Sequence, residues 1–152
     1  MEKTDNQVPF SESIEKAYIG NLLQGNPMIA RVDSKAFYSG TSRKLFDTII
    51  KVISSGRKVD LLTVKAQLET DGALAAVPPQ YLIECVEESG YDSTLQESFA
   101  KTISELKARR DLIVAGEELA RSAKSGGDVP ELMRKFTSRV EDAGSSAVND
   151  DN

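Results

Sequence analysis

Carboxylates are the most abundant side chains in this sequence that could serve as acids, bases or metal ligands. The chain of 152 residues has 24 Asp and Glu residues, 19 Lys and Arg residues, one Cys and no His. Without His, neither a His-dependent catalytic triad nor a Cys/His zinc site can form. The one thiol, Cys85, lies in the run Tyr-Leu-Ile-Glu-Cys-Val. A free Cys in such an apolar run is usually a small buried core residue rather than a nucleophile.

The acidic residues show no pattern that indicates catalysis. We expect them on the polar faces of helices, with no pair set apart in an apolar context where one pKa would rise for acid–base work. The chain has no Gly-Lys dipeptide, so it lacks the Gly-x-x-x-x-Gly-Lys-Ser/Thr loop that cradles phosphates. It also lacks Gly-x-Ser-x-Gly and His-Glu-x-x-His. We therefore predict no catalytic, cofactor-binding or metal-binding residue; an enzyme that uses its carboxylates is the alternative.

Charge and hydropathy limit the partners and the compartment. The net charge of −5 argues against general binding of polyanions, so any DNA contact would need a local basic patch. The first residues, Met-Glu-Lys-Thr-Asp-Asn-Gln-Val-Pro, contain no apolar core of a signal peptide. The longest apolar runs are far shorter than the ~20 residues of a membrane span. We expect a cytoplasmic protein with no membrane contact.

Two groups of basic residues are the possible exceptions to the acidic balance. They are Lys107, Arg109 and Arg110, and then Arg134, Lys135 and Arg139. The simpler interpretation is a solvated helix face, with Glu105, Glu117, Glu118 or Glu131 as partners one turn away. The alternative is contact with an acidic partner or a phosphate backbone.

The elements that carry these side chains are predicted to be helices throughout. Apolar residues recur at helical spacing between Gly and Pro punctuation, and no alternating strand pattern or hairpin turn is present. We predict a disordered stretch over residues 1–9 and a compact helical head over residues 10–91, including a short helix from Met28 to Val32. The predicted head core contains Phe37, Leu45, Phe46, Ile49 and Leu61.

The second half of the chain indicates a long two-helix hairpin over residues 92–142, followed by a linker or disordered tail over residues 143–152. The stretch from Ser93 to Ser125 lacks Pro, and a helix of about 30 residues would be about 45 Å long. A two-helix hairpin has too few neighbours to bury both apolar faces. We therefore predict an interface with another chain, formed by Leu106, Leu112, Ile113, Leu132 and Phe136. Packing inside the hairpin alone is the alternative for each of them.

Short motifs along the chain follow a recognisable order. They are Ile14-Glu15-Lys16-Ala17-Tyr18-Ile19-Gly20-Asn21-Leu22-Leu23, Phe37-Tyr38, Arg43-Lys44-Leu45-Phe46, Val59-Asp60-Leu61-Leu62-Thr63-Val64, then Leu68, Gly72, Leu74 and Tyr81-Leu82, and finally Phe99-Ala100-Lys101-Thr102-Ile103 and Arg110-Asp111-Leu112-Ile113. Each motif alone is common, but their order and gaps together are specific. From residue 9 to about residue 141 the chain resembles the N-terminal domain of the DnaB-type bacterial replicative DNA helicases.

The resemblance implies a non-catalytic collar domain with the same all-α fold. In that family the collar sits on a hexameric motor, and heads and hairpins pair between neighbouring subunits to give a trimer of dimers. Primase docks on the collar, which also takes part in helicase-loader contacts, and DNA contact by this domain is weak or absent. ATP and Mg²⁺ would bind only the RecA-like motor, which would follow residue 152. Glu15 and Tyr81 are candidates for partner docking on the head, with a core position as the alternative for Tyr81.

Some positions depart from the family pattern. Ser42 stands where the family usually has His, Pro78-Pro79 replaces Gly-Gly, and the segment between Leu23 and Phe37 is short. These departures indicate a divergent member, as in a phage or plasmid replication system. The alternative function is a stand-alone regulator that mimics the collar and binds a helicase.

Overall fold

Helices account for all the regular structure in the part of the chain that the computed structural model describes, which is residues 8–25, 32–90 and 92–148. The elements are α1 (Glu12–Leu23), α2 (Gly40–Ser54), α3 (Leu61–Thr70), α4 (Pro79–Ser89), α5 (Gln96–Lys124) and α6 (Val129–Val148), with 3-10 turns at Ser34–Ala36 and Ser93–Leu95. The predicted all-α class is confirmed. The predicted short helix from Met28 to Val32 lies, except for Val32, outside the described residues.

The helix ends follow from local hydrogen bonds that the sequence provides. The side chain of Ser11 accepts a bond from the N–H of Ile14, and Asp60 accepts one from the N–H of Thr63 at 2.8 Å. Such caps satisfy N–H groups that have no partner inside the helix. Gly90 ends α4 in the left-handed region with φ +63, where a residue without a Cβ is favoured.

The chain divides into two compact units, and the division falls after Ile103 rather than after the predicted residue 91. We use "head" for residues 11–103 and "hairpin" for α5 from Ser104 onward together with α6. The first turns of α5 belong to the head because Ala100 and Ile103 are part of its hydrophobic core. Residues 8–10 belong with the hairpin by contact.

A buried pair of amide side chains fixes the start of α5 inside the head. The Nδ2 of Asn21 donates to the Oε1 of Gln96 at 2.8 Å, and the Nε2 of Gln96 donates to the carbonyl of Tyr18 at 2.9 Å. Both amide side chains are buried. Buried amides of this kind are costly unless bonded, so the pair specifies where α5 joins the head.

The head is built around three aromatic rings from α1, α2 and the turn before α2. The ring centroids of Phe37 and Phe46 are 4.9 Å apart, and Tyr18 lies 6.2 Å and 6.3 Å from them. The predicted core positions Phe37, Leu45, Phe46 and Ile49 are confirmed as buried, but the prediction for Leu61 is wrong, because its side chain is 40% exposed. Leu61 is the first residue of α3, and Val64 and Leu68 take the inward-facing positions of that helix.

Two ends of the chain differ from the predicted boundaries. Helix α6 continues to Val148, so residues 143–148 are helical and are not a linker. Ala143 is buried, which extends the apolar side of α6 past residue 142. At the other end, the carbonyl of Pro9 accepts a hydrogen bond from Arg110 at 2.9 Å, so residues 8–9 have a defined place. Residues 1–7 and 149–152 lie outside the described residues.

Helices α1 and α4 approach each other very closely at Gly20. A Cβ added to Gly20 would lie 1.9 Å from the carbonyl oxygen of Cys85. The thiol of Cys85 is buried beside this contact, and its burial raises its pKa to about 12. The thiol therefore stays protonated at neutral pH, as expected of a core residue and not of a nucleophile.

We expect Gly20→Ala to destabilise the head by about 2 kcal/mol or more, because the new methyl group would overlap rigid backbone of α4. The measurement is the urea midpoint followed by near-ultraviolet circular dichroism of the tyrosines. The matched control is Gly116→Ala on α5, where an added Cβ meets no atom within 4 Å. The control should leave the head's midpoint unchanged. Equal midpoints for Gly20→Ala and wild type would show that the helices do not approach as described.

Candidate self-association face

The two helices of the hairpin pack against each other along a narrow seam. Arg139 of α6 forms an ion pair with Glu118 of α5 across it. The groove along the seam is lined by Ala115, Glu118, Leu119, Ser122, Leu132, Lys135, Phe136 and Arg139. Where burial in the hairpin is described, the buried residues are Ala108 and Ala115 of α5 and Ala143 of α6. These small side chains are buried, whereas the larger apolar side chains of both helices keep part of their surface exposed.

The structure divides the five predicted interface residues into two groups. Leu132 and Phe136 line the seam and are half-buried, so part of their surface is already used inside the hairpin. Leu106 is half-buried as well. Leu112 and Ile113 are 42% and 38% exposed. The interface role of all five stays a prediction.

One flank of the seam is apolar on both helices. On α5, Leu112 and Leu119 are seven residues apart and share one side of the helix; on α6, Met133 and Val140 do the same. Val129 lies one turn before Met133, and these two side chains are 63% and 64% exposed. We call Leu112, Leu119, Val129, Met133 and Val140 the apolar face. Sequence reasoning missed Met133 and Val129 as interface candidates, although their spacing along α6 was a signal for them.

The opposite flank of the seam is polar. It is lined by Lys107, Asp111, Val114, Arg139, Asp142 and Ala143. Helical periodicity places Val114 and Leu112 on opposite sides of the seam residue Ala115, which separates this flank from the apolar face. Leu106 and Ile113 are seven residues apart on the back of α5, away from the seam. The hairpin is therefore amphipathic across its seam.

Most of the predicted basic groups are engaged within the hairpin. Lys107 pairs with Asp111, Arg109 with Glu105 at 3.5 Å, and Arg134 with Glu131. Arg139 pairs with Glu118, and Arg110 donates to the carbonyl of Pro9. This arrangement favours a solvated helix face over a site for a phosphate backbone.

Glu15, predicted to dock a partner, lies inside the head and not on its surface. Its carboxylate oxygens accept hydrogen bonds from the N–H groups of Tyr38 and Ser39, at 2.6 Å and 3.2 Å. A buried carboxylate needs such donors, and they commit both oxygens to the segment before α2. Tyr38 itself is exposed, so Glu15 positions a surface aromatic residue. The sequence alone gave no sign of this contact.

Tyr81, the second predicted docking residue, is half-buried at the junction of α1, α2 and α4. Its hydroxyl lies 2.7 Å from the Oγ of Ser42 and 3.3 Å from a carboxylate oxygen of Glu12. The Nζ of Lys16 lies 5.0 Å from the ring centroid. Burial raises the pKa of the Tyr81 hydroxyl, which keeps it neutral at physiological pH. The two predicted docking residues, Glu15 and Tyr81, both belong to the head.

Neither a membrane span nor a metal-binding cluster is present among the described residues. No helix there is long and apolar enough to cross a bilayer. No group of three or more Cys, Asp or Glu residues there could hold a metal ion.

Comparisons with known proteins agree on one kind of domain. A family model described as "DnaB-like helicase N terminal domain" matches residues 7–105. The chain is similar to the replicative DNA helicase DnaB of Rhodothermus marinus, with 28% identity over 137 residues, which are 87% of this chain and 14% of that protein. The chain thus spans a small part of this curated relative.

A solved structure shows the same fold. The crystal structure of the N-terminal domain of DnaB helicase from Mycobacterium tuberculosis superposes with a TM-score of 0.80 at 23% sequence identity. The superposition covers 90% of this chain and 99% of that chain. At this level of identity the match establishes the fold and not the residues of a site.

The ion pair across the seam predicts a dependence of stability on pH. The hydrogen bond and charge of Arg139 lower the pKa of Glu118 below its ordinary value of 4.5. Stability from the pair should be fully present above that value and disappear as pH falls through the lowered pKa. We expect Glu118→Gln to be less stable than wild type at about pH 7 and equal to it at about pH 2. The measurement is the urea midpoint as a function of pH.

Glu117→Gln is the matched control, because Glu117 forms no ion pair within the described residues. It should follow the wild-type curve at every pH. A Glu118→Gln curve parallel to wild type over the whole range would contradict the role of the pair.

Proposed function

Because the chain belongs to the DnaB-like helicase N-terminal domain family, we propose that it acts as the non-catalytic collar of a hexameric replicative DNA helicase. In this role it associates with copies of itself and provides docking surfaces for primase and the helicase loader. The observation that carries the proposal is the apolar face of the hairpin. Family membership supports the general role, and the face supports self-association.

The apolar face exposes hydrophobic side chains to water, which is energetically unfavourable. Leu112, Val129 and Met133 are each about half exposed or more. Complete burial of one such side chain contributes about 1.5–3 kcal/mol. A monomer in water forgoes most of this energy, and it becomes available when a second apolar surface covers the face.

A second copy of the same hairpin is a suitable cover. In a twofold symmetric pair the same patch of both copies forms the contact, so each side chain of the face is buried once in each copy. Two hairpins meeting in this way form a four-helix arrangement with Leu112 and Met133 near its centre. The polar flank, with the Lys107–Asp111 pair, would then remain in water. The charges of that flank therefore need no desolvation on association, which favours this geometry.

Partner docking is proposed for the head, at a different surface. Tyr81 with Lys16 stacked on its ring offers an aromatic and a cation at the junction of α1 and α4. Tyr38 is exposed and is held by Glu15 through its backbone N–H. Aromatic residues held in this way are frequent anchors in protein interfaces. We propose Tyr38 and Tyr81 as contact residues for primase or the loader, with Glu15 acting through Tyr38.

The test of self-association is the double variant Leu112→Asp with Met133→Asp. A symmetric dimer of this variant would bury four carboxylates at the centre of the contact, two from each copy, at a high cost in desolvation. We expect wild type to form dimers at micromolar concentration and the variant to bind itself at least about 100-fold more weakly. Sedimentation equilibrium measures both dissociation constants.

The matched control is Val114→Asp, two residues further along the same helix and on the polar flank. Val114 is 47% exposed, comparable to Leu112 at 42%, so the substitution adds the same charge at a similar depth. It should leave the dimer intact. Wild type that stays monomeric, or a Val114→Asp variant that dissociates as much as the double variant, would contradict the proposed face.

A further inference from the structure

The polar flank of the hairpin contains a cleft of about 320 Å³ between α5 and α6. Its volume falls at the lower end of the range of about 300–1,000 Å³ that small-molecule sites occupy. It is lined by Lys107, Asp111 and Val114 of α5 and by Arg139, Asp142 and Ala143 of α6. These residues all belong to the hairpin unit of one chain, so the cleft is formed without a second copy.

The carboxylate of Asp142 has no ion pair within the part of the chain that the structure describes, although a cation lies one turn away. Arg139 precedes Asp142 by three residues on α6, a spacing at which opposite charges often pair. The guanidinium of Arg139 instead donates through Nη1 to Glu118, on the other side of the seam. Asp142 is exposed and lines the cleft. Its carboxylate is therefore available to a cationic group of a bound molecule.

The two cations of the cleft keep donors for an anionic group. A guanidinium has five N–H donors, and the pair with Glu118 uses only the Nη1 end of Arg139. The ammonium of Lys107 is bonded to Asp111 at 2.5 Å, which leaves two of its three donors. The side chains of Arg139 and Lys107 are 33% and 26% exposed, so a molecule in the cleft can reach both of them.

We propose that this cleft binds a small zwitterion of the ω-amino acid class, in which a short hydrocarbon chain separates an ammonium group from a carboxylate. The ammonium group lies against Asp142, and the carboxylate accepts hydrogen bonds from Arg139 and Lys107. Both contacts are charge-assisted hydrogen bonds, which are about twice as strong as those between neutral groups. The hydrocarbon chain lies along the aliphatic side chains of Val114 and Ala143.

The charges of the cleft favour a zwitterion over a simple ion. The four charged lining residues are two cations and two carboxylates, so their formal charges cancel. A simple cation would leave the donors of Arg139 and Lys107 unused, and a simple anion would leave Asp142 without a partner. Residues three apart on a helix have Cβ atoms about 5–6 Å apart. That distance between Arg139 and Asp142 corresponds to a few methylene groups between the two charges of the ligand.

A bound zwitterion would contact both helices, because Lys107 lies on α5 and Asp142 lies on α6. A ligand that binds only the folded hairpin stabilises it, so such a molecule would hold α6 against α5 on the polar flank. The apolar face lies on the opposite flank. The proposal is therefore independent of self-association and of the collar role.

A titration followed by nuclear magnetic resonance tests the ligand class in the ¹⁵N-labelled 152-residue chain. The probes are 4-aminobutyrate, butyrate, which lacks the ammonium group, and butylamine, which lacks the carboxylate. We expect 4-aminobutyrate to shift the amide signals of Val114 and Ala143 saturably, with a Kd at least about tenfold lower than that of either analogue. Equal affinities for the three probes, or shifts that rise linearly to about 100 mM 4-aminobutyrate, would overturn the proposal.

Asp142→Asn tests the ammonium end of the site. The substitution keeps the shape of the side chain and removes its charge, so the Kd for 4-aminobutyrate should rise at least about tenfold. The matched control is Glu141→Gln, because Glu141 is the adjacent exposed acidic residue of α6 and does not line the cleft. The control should keep the wild-type Kd. An equal loss of affinity in both variants would reduce the effect to the general charge of α6 and contradict the assigned contact.

Two variants of the seam ion pair test the carboxylate end. Arg139→Gln and Glu118→Gln both remove the pair between the helices, but only Arg139→Gln removes the donors that face the ligand. We expect Arg139→Gln to weaken binding of 4-aminobutyrate at least about tenfold and Glu118→Gln to bind it at least as tightly as wild type. The same spectra show that each hairpin is folded. Equal weakening in the two variants would mean that affinity follows the stability of the hairpin, and it would overturn the contact with Arg139.

Discussion

Two helices that pack along a single seam can bury only the side that each turns to the other. In the hairpin that side is made of small residues such as Ala108, Ala115 and Ala143. Leu112 and Met133 lie on one flank of this seam, where their side chains remain exposed. The free energy gained from the hydrophobic effect is roughly proportional to the apolar area removed from water. A hairpin of this kind therefore gains stability by covering that flank with another surface, and self-association is the function that this constraint favours.

The head buries its own hydrophobic core and holds its surface residues in fixed positions. The tight contact between Gly20 and the backbone at Cys85 locks α1 to α4, and the Asn21–Gln96 amide pair fixes the first turns of α5. Glu15 uses its buried carboxylate to hold the backbone beside the exposed Tyr38. These buried polar groups of the head are thus engaged in holding the backbone and neighbouring helices in place. A docking module needs such positioning, whereas acid–base catalysis needs polar groups that are free to exchange protons. Membership of the family of helicase N-terminal domains agrees with a rigid head and with an exposed apolar face on the hairpin.

The sequence predicted the helical class, the hairpin and most of the core because these depend on helical periodicity and on Gly and Pro punctuation. Phe37 and Ile49 were assigned to the core correctly, and the position of Leu61 was wrong because periodicity does not reveal that a helix begins at that residue. The buried position of Glu15 depends on a hydrogen bond to residues more than twenty positions away, which no local pattern records. The start of α5 inside the head depends in the same way on Gln96. The apolar and polar flanks can be told apart only when the residues that form the seam between α5 and α6 are known. Residue spacing within one helix does not identify them.

An isotope-filtered nuclear Overhauser measurement tests the central claim most directly. One copy carries a ¹³C label on its Met133 methyl group, the other copy is unlabelled, and only contacts between the two kinds of chain are recorded. The account predicts contacts from this methyl group to Leu112 or Met133 of the other chain, and no contacts to Val114. A mixed sample in which the Met133 methyl shows contacts within its own chain only, at concentrations where the protein sediments as a dimer, would contradict it.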